Sequence, residues 1–268
     1  MKAWREGDVD VGEVQIHFYR TGQGDKPALV LAHGFSDNGL CWSRVASALQ
    51  EDFDIVMMDA RNHGQSSRAS LTPADLVDDL VGLISGLGLD RPSVLGHSMG
   101  GSTVAGLAAG YPNLVSKIIL EDPPWMASTV ETVPEDVERR QAGFSKYIKS
   151  FASMSDEQIL AIGKKQHAAW HDGDFPAWVT SNRQVGELAM QGLQKTDWIE
   201  AVGQIQCPAL LIYADGDTDG LIKQPVVDQV LKTNKFFKSA HIADAGHNIR
   251  REQFKPYIQA VKAFLLSG

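Results

Sequence analysis

The sequence predicts an α/β fold: a mostly parallel β-sheet with helices on both faces, interrupted by a helical insertion. Short continuous apolar runs, which are typical of buried parallel strands, alternate with longer segments in which apolar residues recur every three or four positions. This alternation favours right-handed strand–helix–strand units, in which neighbouring strands are parallel. From about residue 123 to residue 195 the apolar runs stop, and only helical or irregular segments are predicted.

Each element is predicted from its own pattern. Thr72 is expected to cap a helix, because Pro73 takes the first helical position and Asp75 lies three residues after the cap. Apolar residues from Leu76 to Leu87 then follow one face of that helix. The other predicted helices span residues 41–49, 99–109, 226–231 and 252–266. The predicted strands span residues 14–19, 28–32, 55–58, 93–95, 117–120, 209–213 and 236–242.

The predicted organisation is one core domain with one insertion. A chain of 268 residues is near the upper length that one hydrophobic core supports. We assign residues 1–123 and 196–268 to the core and residues 124–195 to a helical cap. The cap is rich in aromatic residues, which either line an apolar substrate pocket or form the cap's own core: Trp125, Phe144, Tyr147, Phe151, Trp170, Phe175 and Trp178.

The composition excludes several classes of partner. With 33 acidic and 25 basic residues, the formal net charge is −8 and there is no basic run, so a nucleic-acid partner is not expected. No stretch approaches 18 consecutive apolar residues, and the charged N-terminus lacks the pattern of a signal peptide; both favour a cytoplasmic protein without a membrane span. Cys41 and Cys207 have no metal-ligand spacing and are expected to be free thiols.

The strongest chemical motif is Gly-x-Ser-x-Gly at residues 96–100, with Ser98 at its centre. It lies between a predicted strand and a predicted helix. There the two glycines permit a tight turn, which lifts the Ser98 hydroxyl clear of the sheet at the positive end of the helix dipole. A chance match in a chain rich in glycine and serine does not account for this placement. The motif therefore predicts that Ser98 is a nucleophile.

A second motif is predicted to lie beside Ser98. The buried strand at residues 28–32 ends in His33 and Gly34, which brings the next backbone N–H to the edge of the sheet where Ser98 emerges. The backbone amides of Phe35 and Met99 are therefore the expected donors to an oxyanion. Taken alone, His33-Gly34 is a simple turn, and only its position before the serine motif favours the oxyanion role.

Four motifs together resemble those of the α/β-hydrolases, in the order typical of that family. They are HGF at residues 33–35, DARNHGQS at 59–66, GHSMG at 96–100 and AGH at 245–247. The chain looks like the small, esterase-like members that carry a helical cap. In this family the base is the last triad member along the sequence, so the resemblance implies that His247 is the base. The other histidines lie in predicted strands, turns or the cap, where a lone histidine is more often structural.

Three aspartates remain open as the acid of the triad. The family usually carries Gly-x-x-Asp after the strand at residues 209–213, but this chain has Ala214 in the place of that glycine. Counting from Ala214 gives Asp217, which is the leading candidate. Asp215 is an alternative in the same loop. Asp122, after the strand at residues 117–120, is the third, because some relatives take the acid from that loop.

The resemblance implies hydrolysis of a carboxylic ester or lactone through an acyl-enzyme, without a metal or an organic cofactor. The aromatic residues of the cap suggest that the substrate is small and mainly apolar. Ser98 stands where haloalkane dehalogenases and epoxide hydrolases of this fold have Asp, which argues against those reactions. Two further reactions of the same triad remain open: hydrolysis of a carbon–carbon bond in a diketone-like ring-cleavage product, and cofactor-free perhydrolysis. A non-catalytic binding module is the alternative from a different class.

Overall fold

The computed structural model describes residues 4–126, 134–192 and 197–267. Its strands are β1 (Arg5–Val11), β2 (Val14–Arg20), β3 (Ala28–Ala32), β4 (Asp54–Met58), β5 (Ser93–His97), β6 (Ile118–Glu121), β7 (Ala209–Tyr213) and β8 (Phe237–His241). They form one eight-stranded sheet in the order β1-β2-β4-β3-β5-β6-β7-β8. β2 is antiparallel to β1 and to β4, and the other neighbouring pairs are parallel. The predicted mostly parallel sheet is confirmed.

Helices flank the sheet on both faces. They are α1 (Ser43–Leu49), α2 (Pro73–Gly86), α3 (Met99–Gly110), α4 (Pro134–Ala152), α5 (Asp156–Gln166), α6 (Phe175–Arg183), α7 (Trp198–Gln204), α8 (Gln224–Thr233), α9 (Ile249–Glu252) and α10 (Phe254–Leu266). Short 3-10 helices span Gly39–Trp42, Asp172–Asp174 and Glu187–Gly192. Within the described residues, no helix combines the length and the apolar content that crossing a membrane requires.

The core lies in two layers, one on each face of the sheet. In β3, Val30 packs towards α2, α3, α7 and α8, whereas Leu29 and Leu31 pack towards α1 and α10. Successive strand side chains point to opposite faces, so a strand that is covered on both sides needs apolar residues at every position. This is why the central strands are continuous apolar runs in the sequence.

The sequence prediction missed β1, an edge strand. Its sequence is REGDVDV, and Val9 is its one buried residue. β1 pairs with β2 through a hairpin in which Gly12 has φ 60°, a left-handed conformation that glycine adopts without strain. An edge strand whose side chains mostly face solvent needs no apolar alternation, and charged residues protect its open edge. The pattern that predicted the other strands is therefore absent here.

Helices α4 to α6, in the segment that the sequence analysis assigns to the cap, lie between β6 and β7 and have their own hydrophobic core. That core contains Phe151, Ile159, Trp170, Phe175, Trp178 and Val179. Trp125 instead stacks on Trp198, with ring centroids 5.3 Å apart, and both belong to the main core. These tryptophans thus stabilise the protein's cores. The predicted cap boundaries stay a prediction, because residues 127–133 and 193–196 lie outside the described ranges.

Candidate active site

Ser98 occupies a strained turn between β5 and α3, with φ 53° and ψ −116°. The two glycines of the motif are required by close approaches of the backbone. A Cβ on Gly96 would lie 2.2 Å from the carbonyl oxygen of Gly100, and a Cβ on Gly100 would lie 2.3 Å from that of Ala32. Any side chain at either position would therefore push α3 away from the sheet, and the predicted turn depends on both glycines.

The structure brings Ser98 and His247 together, although they lie 149 residues apart in the sequence. His247 Nε2 is 3.1 Å from Ser98 Oγ, and His247 Nδ1 is 2.7 Å from Asp122 Oδ2. Because the Asp122 carboxylate can only accept, Nδ1 carries the proton and the Nε2 lone pair faces the serine hydroxyl. This is the tautomer that a general base for Ser98 requires.

The prediction that Asp217 contacts His247 is wrong. Asp217 is exposed in the turn after β7, whereas the Asp122 carboxylate is fully buried beside the imidazole. Asp122 also accepts hydrogen bonds from the backbone amides of Leu221 at 2.8 Å and Ile222 at 2.9 Å. The loop after β7 therefore supplies N–H donors that hold the carboxylate, and the residue directly after β6 supplies the carboxylate itself.

The neighbouring aspartates have other partners. Asp215 accepts from the backbone N–H of Asp244 at 2.7 Å and pairs with His241 Nε2 at 2.7 Å, which fastens the turn before His247. Asp219, which the sequence analysis did not single out, accepts the backbone N–H of His247 at 2.9 Å. Both aspartates thus support the loop that carries the imidazole, and neither contacts the imidazole's Nδ1.

The predicted oxyanion donors border Ser98. Met99 is the first residue of α3, and backbone amides of a first helical turn have no partner within the helix. A Cβ on Gly34 would lie 3.3 Å from the Ser98 Cβ, so the loop that contains Phe35 passes directly alongside Ser98. The oxyanion role of Phe35 and Met99 stays a prediction that this arrangement supports.

His97 contacts the loop that carries His247. Its Nε2 donates to the His247 carbonyl oxygen over 2.9 Å, and the two imidazole rings lie 4.7 Å apart. Burial and the nearby Arg250 charge lower the pKa of His97 well below its usual range, so the ring is neutral. His97 is therefore a structural neighbour of His247.

An apolar surface formed by the loop that contains Phe35 and by the cap adjoins the site. The rings of Phe35 and Phe144 meet edge to face at 5.1 Å, and Phe35 also packs against a cluster of Ile148, Val185 and Ala189 from the cap. Phe144 keeps 41% of its surface exposed. Among the contacts described, Phe144 is the one aromatic residue of the predicted cap set that contacts a residue of the proposed catalytic machinery, Phe35.

Comparison with known proteins identifies the family of this chain. The family model described as the alpha/beta hydrolase fold matches residues 27–249. N-formylmaleamate deformylase of Pseudomonas putida is 26% identical over 272 residues, which cover 97% of this chain and 96% of that protein. An uncharacterized protein of Mycobacterium tuberculosis is 34% identical over 110 residues, or 39% of this chain. The alignment covers 32% of that relative, so the chain spans about a third of its length.

Two solved structures illustrate the shared fold. E-2-(acetamidomethylene)succinate hydrolase superposes with a TM-score of 0.82 at 19% identity, covering 98% of this chain and 100% of that one. A carboxylesterase of Bacillus subtilis superposes with a TM-score of 0.77 at 20% identity, covering 99% of this chain and 92% of that one. At such identities the likeness concerns the fold alone. The match of the family model over most of the chain shows that this protein belongs to the α/β-hydrolase family.

Proposed function

We propose that the protein is a serine hydrolase that cleaves a carboxylic ester or lactone of a small, mainly apolar substrate through an acyl-enzyme. The observation that carries the proposal is the continuous line of contacts from Ser98 through His247 to the buried Asp122. A serine hydroxyl is a weak nucleophile at neutral pH, and an oriented imidazole beside it supplies the base that it needs. A structural serine needs neither the strained turn nor the buried carboxylate behind the imidazole.

The proposed reaction has two halves. Ser98 Oγ attacks the substrate's carbonyl carbon while its proton passes to His247 Nε2, and the oxyanion is held by the backbone amides of Phe35 and Met99. Asp122 stabilises the imidazolium, which then protonates the leaving alcohol as the acyl-enzyme forms. Water attacks the acyl-enzyme with His247 again as base, and the acid product and free Ser98 result.

The apolar surface around Phe35 and Phe144 supports a substrate with a modest apolar acyl or aryl group. The relatives include a carboxylesterase and N-formylmaleamate deformylase, whose names indicate different bonds, so the bond cleaved has to be tested directly. Carbon–carbon bond hydrolysis and perhydrolysis would use the same three groups and stay alternatives.

The test is covalent labelling combined with a substrate panel. We expect a fluorophosphonate probe to label the wild-type protein at one site and to leave Ser98→Ala unlabelled, because only the activated hydroxyl attacks phosphorus. Turnover is then measured for p-nitrophenyl acetate, butyrate and octanoate, an aliphatic lactone, N-formylmaleamate and a vinylogous diketone. A folded wild-type protein that is neither labelled nor active would contradict the proposal and favour a binding module, and turnover of the diketone alone would favour carbon–carbon cleavage.

The cap is expected to control substrate choice. Removing the ring in Phe144→Ala should raise KM for octanoate relative to acetate by about tenfold, because burying part of an acyl chain is worth roughly 25 cal/mol per Å² of apolar surface. Tyr111→Ala, which changes a similarly exposed ring at the far end of α3, serves as the matched control. Equal KM changes for both esters in Phe144→Ala would show that this ring only holds the cap in place.

A further inference from the structure

We propose that Arg250 is a positioning residue of this hydrolase: its guanidinium holds in register the three loops that carry the proposed oxyanion donor, acid and base. The proposal rests on the function proposed above, because it concerns the alignment of the same groups. It is carried by a buried ion-pair cluster that joins residues more than 100 positions apart in the sequence.

Both ends of the Arg250 guanidinium bind carboxylates. Arg250 lies three residues after His247, within α9. Its Nη2 donates to Asp37 Oδ2 over 2.6 Å, and its Nη1 lies 3.4 Å from Glu121 Oε1. Glu121 Oε1 also accepts the backbone N–H of Arg250 at 3.0 Å. Both carboxylates therefore bind the arginine side chain, and Glu121 also binds its backbone.

Each of these carboxylates lies next to a group of the proposed machinery. Asp37 follows Phe35 by two residues, and Glu121 directly precedes Asp122. The carbonyl oxygen of Glu121 accepts the Ser98 N–H at 2.9 Å, so the same residue also contacts the nucleophile's backbone. One guanidinium thus connects the loops after β3 and β6 with the loop that carries the base.

The cluster is buried and its charges are paired. The side chains of Arg250, Asp37 and Glu121 expose 1%, 4% and 0% of their surface. Burial alone would raise the pKa of Asp37, but the charges of Arg251 and Arg250 outweigh it and leave that pKa lowered. Burial raises the pKa of Glu121, and the Arg250 charge opposes the rise. Removing one member of such a cluster leaves an uncompensated buried charge.

The Arg250 charge is not available to a substrate. Its guanidinium is engaged by two carboxylates, and one face of it lies 4.3 Å from the Trp42 ring. Arg251 adds a second ion pair to Asp37, at 2.9 Å. The contribution of Arg250 to catalysis is therefore alignment. A displacement of about 1 Å between reacting groups costs on the order of 10²-fold in rate, so loss of the cluster should lower kcat and leave KM nearly unchanged.

The chain contains a matched control. Arg20 and Asp54 form another buried ion pair, with Nη2 and Oδ2 at 2.7 Å and side chains that are 9% and 0% exposed. Asp54 is the first residue of β4, whereas Ser98 follows the last residue of β5. The pair therefore lies at the opposite end of the parallel strands from Ser98. Arg250→Met and Arg20→Met each remove the arginine from a buried ion-paired group, and both should lower Tm. The two variants differ in their distance from the site.

We expect kcat for a p-nitrophenyl ester, measured below the unfolding transition, to fall about 100-fold in Arg250→Met and less than threefold in Arg20→Met, with KM within threefold of wild type in both. The isosteric variant Asp37→Asn should lower kcat about tenfold, and it decides the question if Arg250→Met does not fold. Unchanged kcat in these variants, or a raised KM at unchanged kcat, would overturn the positioning role. A wild-type protein without esterase activity and without fluorophosphonate labelling would instead refute the proposed function.

Discussion

Ser98→Ala is expected to lower kcat for ester hydrolysis by about 10⁴-fold to 10⁶-fold, which is the effect of removing the nucleophile of a triad that acts as a unit. The methyl group leaves Gly96 and Gly100 undisturbed, so the turn between β5 and α3 should persist. Steady-state hydrolysis of p-nitrophenyl esters measures the loss, and thermal unfolding checks that Tm stays near that of the wild type.

Ser102→Ala is the control for this variant. Ser102 lies on α3 four residues further on, so this variant removes a hydroxyl from the same helix without touching the proposed nucleophile. We expect it to keep wild-type kcat. Turnover in folded Ser98→Ala within tenfold of wild type would contradict the whole assignment, because no other group in the proposed mechanism can form the acyl-enzyme.

Asp122→Asn is expected to lower kcat by about 10³-fold to 10⁴-fold, the size of the effect when a triad carboxylate becomes an amide. The amide nitrogen would face His247 Nδ1, favouring the tautomer in which Nε2 carries the proton and cannot accept the one from Ser98. The amide would also weaken the pair of hydrogen bonds from Leu221 and Ile222. The measurement is kcat with Tm determined in parallel.

Two variants of the loop after β7 make this prediction specific. Asp217→Asn changes an exposed side chain and should leave kcat within twofold. Asp215→Asn weakens the contacts to His241 and Asp244 and should lower kcat by less than tenfold, through the turn that carries the base. If Asp217→Asn caused the largest loss of kcat among the three, the carboxylate of the working enzyme would come from the loop after β7.

The family pattern carried the signal for the acid, although it did not decide it. The family usually has glycine where this chain has Ala214. Because of that departure, counting three residues from Ala214 to Asp217 did not identify the aspartate that contacts His247. Asp122 has φ 42°, a conformation that few residues other than glycine adopt, and this conformation turns its side chain from the end of β6 towards His247. Backbone strain of this kind is not visible in a sequence. The sequence therefore did not distinguish Asp122, in the short loop after β6, from the other candidate acids.

The cap shows the same limit. The sequence indicated that an aromatic-rich helical segment interrupts the sheet, because the apolar runs stop there. It could not separate rings that line a pocket from rings that form a core, since both uses favour aromatic residues. In the structure Trp170 and Trp178 pack within the cap, and Phe144 extends towards Phe35. Which ring faces which partner depends on how the cap helices pack on one another and on the core.

By itself the sequence determined the features that depend on neighbours along the chain. These are the buried strands, the capped helix α2, and the glycine-flanked turn at Ser98, because strand periodicity, capping and tight turns are set within a few residues. The order of motifs further indicated His247. Only the tertiary structure decided that Asp122 contacts His247 and that Arg250 joins Asp37 to Glu121. These contacts form where parallel strands end at one edge of the sheet, so they depend on distances in space that the spacing of residues along the chain does not encode.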